Sequence, residues 1–193
     1  MYGYRARPSL LGREYGEPLS WILGIAAITL AIGGSRVLNP YFYLSGYFGG
    51  ILVGFVGHEL AHRQIAKRYG MAAEFIAFTP GLLITVISAF IPFIVILAPG
   101  YVRTISYFGS SYRGVLNSVA GGPAVNLALA MLGFAAHLIT GSRWIYTFAQ
   151  VNTWIGLFNL LPIPPLDGEK IFRLNPQIWI AMFLIAVALY IVF

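Results

Sequence analysis

The 193-residue chain has no cysteine, only three histidines, and only 9% charged residues. Without thiols it forms no disulfide, no thiolate zinc site and no cysteine nucleophile, so any metal must be held by His, Asp or Glu. Soluble domains average about 25% charged residues. Charge this scarce, beside 59% apolar residues, puts most of the chain in lipid. Acidic residues are the scarcer sign: six Asp and Glu against twelve Lys and Arg, a net +6. The basic residues form no run and flank apolar segments. That pattern fits orientation by cytoplasmic positive charge and gives no reason to expect a nucleic-acid partner.

What is present begins with a basic stretch, Tyr4 to Pro18, leading into an apolar segment. A secretory signal has that outline, but this stretch has no clear small-residue cleavage site and carries Glu14 and Glu17. An uncleaved first membrane helix is expected. The apolar stretches are residues 18–34, 41–66, 82–98, 115–139, 144–161 and 177–193. Most approach the roughly 20 residues that span hydrocarbon as helix. Residues 82–98 differ, because the β-branched runs Ile84-Thr85-Val86-Ile87 and Ile94-Val95-Ile96 are split by Ile91-Pro92 and closed by Pro99-Gly100. Such a stretch reads as strand-like with an internal turn.

Parity of crossings bears on the same stretch. With Arg5, Arg7 and Arg13 inside, the segment from Tyr41 returns to end inside at Arg63, Lys67 and Arg68. If 82–98 crosses once, Arg103, Arg113, Lys170 and Arg173 fall outside and the charge bias nearly vanishes. If it enters and leaves on one side, only Arg36 and Arg143 lie outside, which the positive-inside rule prefers. The expected fold is therefore an all-α polytopic membrane protein. It has about five transmembrane helices plus a re-entrant β-like hairpin at 82–98, with the N-terminus cytoplasmic in a multi-pass cell-membrane protein. One membrane domain, 1–193, is expected: an N-terminal tail and extra helix to residue 40, a core over 41–175 and a C-terminal helix over 176–193.

Within the second apolar stretch, His58-Glu59-Leu60-Ala61-His62 reads H-E-x-x-H. On a helix of 3.6 residues per turn His58 and His62 stack on one face, where both imidazoles reach one metal ion, and Glu59 points beside it. With so few His and Glu, the pattern arises by chance about once in a thousand such chains. Ionisable groups at membrane depth are costly and mark functional sites. The spacing proposes metal-assisted hydrolysis, with Glu59 as general base.

A catalytic zinc takes a third protein ligand. Glu14 and Glu17 precede the first helix, Glu74 lies just beyond the motif, and His137 falls at the far end of its helix. Asp167 and Glu169 remain, at the depth of the H-E-x-x-H in the re-entrant topology and after the prolines of Asn159-Leu160-Leu161-Pro162-Ile163-Pro164-Pro165-Leu166-Asp167-Gly168.

With that segment the chain resembles the site-2 protease family of intramembrane zinc metalloproteases. The family pairs H-E-x-x-H with a later N-x-x-P-x-x-x-x-D-G element, here Asn159 to Gly168. The family's G-P-x-x-N stretch is matched by Gly122-Pro123-Ala124-Val125-Asn126, preceded by Gly121. The resemblance covers about residues 41–175. It implies one zinc per chain on His58, His62 and Asp167, Glu59 as base and Asn159 near the scissile carbonyl. It further implies regulated cleavage of transmembrane segments of protein substrates, while the charge-based topology puts the site toward the cytoplasmic side of the bilayer. Gly121, Pro123 and Asn126 are candidates for structural or substrate-positioning roles, Asn126 also as interhelical glue. No PDZ or CBS module is expected, and the first helix is extra relative to many relatives. Three rivals stand beside this reading: a membrane metal transporter or sensor using the same His/His/Asp site, a structural membrane protein that keeps a dead metal site and binds partners, and an H-E-x-x-H protease with Glu169 as third ligand. Gly50 and Gly54 continue the histidine stripe, and Gly121, Gly122 and Ala124 offer a small surface to match it.

Overall fold

Proline, serine and glycine punctuate the helices. In the computed structural model, which describes residues 14–91, 95–106, 109 and 111–193, helix α1 (Glu17–Gly33) starts on Pro18 and stops at Gly34, whose φ is 55°. Two short 3-10 turns lead to Ser45, whose hydroxyl accepts from the Phe48 amide and caps α2 (Gly46–Arg68). Ser111 and Ser142 cap α4 (Tyr112–Thr140) and α5 (Arg143–Asn159) in the same way. A proline-rich loop then delivers α6 (Asp167–Leu174) and α7 (Pro176–Val192).

Between α2 and α4 lie strands β1 (Ala72–Ala77) and β2 (Gly100–Ile105), with the short helix α3 (Thr79–Ser88) between them. The strands pair antiparallel, Ala72 opposite Ile105 and Ala77 opposite Gly100. This corrects the reading of 82–98 as a hairpin. Residues 82–88 are helical, 95–98 form neither helix nor strand, the strands flank the stretch, and the turn expected at Pro92 lies outside the described residues. The physical reason is backbone satisfaction. A helix pairs its own amides where a lone hairpin in lipid leaves two open edges, and that outweighs β-branched propensity. Thr85 and Ser88 tie down the return, accepting from the Ala98 and Ile96 amides at 3.1 and 3.0 Å. Ala77 and Gly100 are ladder partners, so the two ends of the segment lie side by side.

Helix α2 sits among α1, α4 and α5. Ile28, Ile51, Phe55, Phe75, Val151 and Ile155 fill the space between them, and Leu116, Leu127, Leu160, Ile171 and Ala186 seat α6 and α7. The small stripe of α2 faces α5 rather than the glycines of α4. A Cβ on Gly50 would lie 2.9 Å from the Phe148 carbonyl oxygen, and one on Gly54 2.7 Å from Asn152 Oδ1. Gly121 and Gly122 instead approach Ile65 and the two histidines.

The bundle has two chemically distinct ends. At one, Asn117 Nδ2 donates to Tyr69 Oη at 2.7 Å and Tyr112 Oη donates to the Leu174 carbonyl at 2.8 Å. At the other, Trp144 Nε1 donates to the Leu44 carbonyl and Tyr146 Oη to that of Phe193. The placement read for Arg5, Arg7 and Arg13 lies outside the described residues. Among the described residues, two helical stretches, Glu17–Leu38 and Tyr112–Thr140, are long and apolar enough to cross a membrane.

Candidate metal centre

His58 and His62 lie one turn apart on α2, and Asp167 opens α6, whose N-terminal dipole favours a carboxylate. All three are buried. Their facing atoms form a nearly equilateral triangle. His58 Nε2 to His62 Nε2 is 2.9 Å, His58 Nε2 to Asp167 Oδ2 3.1 Å, and His62 Nε2 to Asp167 Oδ2 3.0 Å. On one side Gly122 of α4 stands against the centre, where a Cβ would lie only 2.6 Å from His58 Nε2.

The far side of each ring decides what the triangle can hold. His62 Nδ1 lies 2.7 Å from the Ser118 carbonyl, which can only accept, so the proton is on Nδ1. His58 Nδ1 lies 2.6 Å from Asn126 Oδ1 and donates to it. Both Nε2 atoms therefore turn lone pairs toward each other and toward a carboxylate oxygen. Three such acceptors at about 3 Å could hold a metal ion among them, and ligand bonds near 2.0–2.1 Å suit zinc on two nitrogens and one oxygen. Lys170 Nζ donates to the other oxygen of Asp167, Oδ1, at 3.2 Å.

The remaining acids other than Glu59, and the third histidine, are engaged elsewhere. Glu17 pairs with Arg63, Glu14 and Glu74 with Arg103, and Glu169 with Arg173 one turn on. His137 faces the Ser142 carbonyl at the opposite end. A cavity of about 450 Å³ opens on the triangle, and Glu59 and Asn159 line it with His58, His62 and Asp167. Asn159 Nδ2 donates one hydrogen to the Ile155 carbonyl at 3.0 Å, leaving the other free by valence. Gly121 and Pro123 are buried on α4 beside the site, without touching the triangle's polar atoms.

Relatives of the chain are named for zinc proteolysis. MJ0611 of Methanocaldococcus jannaschii, named as a candidate zinc metalloprotease, is 38% identical over 148 residues, 72% of this chain and 76% of that protein. The chain belongs to the site-2 protease-like family of zinc metalloproteases. A second member, YwhC of Bacillus subtilis, also named as a candidate, is 33% identical over 160 residues, covering 70% of this chain and 69% of its own. MJ0392, a longer zinc metalloprotease of M. jannaschii, is 26% identical over 163 residues, which is 82% of this chain and 42% of that protein. No family model matches the chain, and no solved structure matches it significantly.

Sequence reasoning brought His58, His62 and Asp167 to one point and Glu59 and Asn159 to its rim. It missed the Ser118 carbonyl, which no side-chain pattern announces. Lys170 was equally unmarked, although its place three residues after Asp167 on a helix was signal enough.

Proposed function

We propose that this zinc metalloprotease crosses the bilayer several times and cuts transmembrane segments of protein substrates, with its metal centre toward the cytoplasmic side. One observation carries the reading: a buried His/His/Asp triangle sits inside a helical bundle whose outward face is apolar. Leu132 and Ile139 of α4 and Leu184 and Ile191 of α7 are 70%, 85%, 62% and 76% exposed, which lipid tolerates and water does not. Five long helices, α1, α2, α4, α5 and α7, supply the crossings, the shorter ones spanning only just. Among the described residues, Arg63, Lys67, Arg68, Arg103, Arg113, Lys170 and Arg173 gather toward the metal end, against Arg36 and Arg143 at the other. By the rise of a helix, His62 is about 9 Å along the axis from Arg68, within reach of water entering from that end.

His58, His62 and Asp167 hold the metal in this reading. Zinc, when bound, acidifies a water and polarises the scissile carbonyl. The Glu59 carboxylate takes a proton from the attacking water and delivers it to the leaving amide nitrogen. Asn159 offers its free Nδ2 hydrogen to the substrate carbonyl oxygen as charge develops there. A helical substrate hides its amides and must be extended first. The strand along the cavity is β2, where Gly100, Tyr101 and Val102 line the wall, so an extended substrate pairs there rather than along 82–98. A reversible carrier would need successive ligand groups, and among the described residues only His58, His62 and Asp167 form one.

The test is cleavage of a membrane-anchored substrate by purified protein with zinc, beside Glu59→Gln. The variant should keep one zinc and lose proteolysis, because the residue moves protons and does not coordinate. Cleavage by Glu59→Gln at the wild-type rate would end the assignment, and attack confined to soluble peptides would remove the membrane step.

A further inference from the structure

We infer that Asn152 is a positioning residue for the metal centre: acting through Asn126, it fixes the hydrogen bond that aims His58 at the metal. The inference rests on the zinc-site reading of His58. Asn126 on α4 and Asn152 on α5 are both 0% exposed. A buried primary amide is costly unless all its polar atoms are paired, so two in contact, 26 residues apart in sequence, need a reason.

The hydrogen bonds have one consistent direction. Asn152 Nδ2 donates to the Phe148 carbonyl at 2.9 Å, and a carbonyl can only accept. That pins Asn152 with Oδ1 turned toward Asn126, whose Nδ2 donates to it at 3.2 Å. The second Nδ2 hydrogen of Asn126 goes to the Gly54 carbonyl of α2 at 3.0 Å. Both donors are then spent, and Asn126 Oδ1 has to face His58 Nδ1, 2.6 Å away. A flipped Asn126 would oppose oxygen to oxygen at both Gly54 and Asn152. Two helix carbonyls, on α5 and α2, thus set the ring orientation of a metal ligand through two amides. Gly54 permits it, since a Cβ there would stand 2.7 Å from Asn152 Oδ1. Asn152 touches neither metal nor substrate, so it acts only through Asn126.

The experiment is a double-mutant cycle in the detergent-solubilised full chain, Asn126→Leu, Asn152→Leu and both together. It reads zinc affinity by chelator competition and the His58 Nδ1 proton by 15N-edited NMR of the zinc-loaded protein. The chain's three histidines keep that spectrum assignable. Asn126→Leu should weaken zinc by about 10- to 100-fold, the usual cost of losing the partner of a ligand histidine. Asn152→Leu should weaken it about fivefold, the worth of one net hydrogen bond, and hasten exchange of the His58 Nδ1 proton. The double variant should match Asn126→Leu alone. If Asn152→Leu does not fold, Asn152→Ala carries the same test. Additive losses in the double variant, or an unchanged His58 proton in Asn152→Leu, would overturn the relay while leaving the metal site intact. Wild-type protein that binds no zinc would instead overturn the metal-site reading, and the relay with it.

Discussion

Gly122→Ala adds one methyl group at the tightest point of the metal centre. Its Cβ would stand 2.6 Å from His58 Nε2 and 2.7 Å from His58 Cδ2, and closer still to His62. Unbonded heavy atoms settle at about 3.5–4.0 Å, so helix or rings must yield by about 0.9 Å at His58 and by more at His62. Helix α4 cannot retreat freely. The Ser118 carbonyl holds His62 at 2.7 Å, Asn126 holds His58 at 2.6 Å, and a Cβ on Gly156 would already lie 3.2 Å from the Cβ of Asn126. The rings therefore swing, yet metal–ligand distances tolerate only about 0.2 Å. Overpacking of this kind costs about 1–3 kcal/mol. Charged to metal binding at 1.4 kcal/mol per decade, that is about 5- to 150-fold in zinc affinity. Competition against a chromophoric chelator measures it, with Gly57→Ala as control, since a Cβ there meets only Val125 Cγ1 at 3.3 Å. Zinc affinity of Gly122→Ala within about twofold of wild type, the scatter expected of independent sites, would refute the reasoning.

Asp167→Ala should lose zinc and activity together, while Glu169→Ala, which removes only an ion pair to Arg173, should keep both; metal analysis of the purified variants decides between the two ligand sets. Asn159→Ala should retain one zinc and lose about a hundredfold in turnover, the usual cost of one oxyanion donor, and near-normal single-turnover rates would demote it to a helix-end packing group. Because the chain has no cysteine, single cysteines report sidedness without background. Tyr69→Cys and Arg173→Cys should label from the cytoplasm and Asn39→Cys and Ser142→Cys from outside with a membrane-impermeant thiol reagent. Gly168 is unsuitable as a probe, since any side chain there meets the Leu160 backbone. Labelling of positions 69 and 173 from opposite faces would break the topology.

The sequence by itself determined the ligand set and the helical scaffold. Four-residue spacing on a helix is a local property, so His58 and His62 had to share a face wherever α2 packed. Absent cysteine and scarce acids then left Asp167 and Glu169 after the proline break, and the resemblance to the site-2 protease family singled out Asp167. The long apolar runs had to be helices for a comparable reason, because only a helix pairs its own backbone without help from distant residues. Tertiary structure alone decided the rest. Whether residues 82–88 coil or extend depended on which strands could pair, and those strands proved to be Ala72–Ala77 and Gly100–Ile105, two segments without strong local signal. Which helix the glycines of α2 would admit was equally non-local, since small residues permit an approach without naming the partner. The orientation of the histidines hangs on the Ser118 carbonyl and on Asn126, brought in from α4 across 56 and 68 residues of chain. No pattern in a linear sequence encodes a backbone carbonyl's direction. It is fixed only when α4 packs against α2.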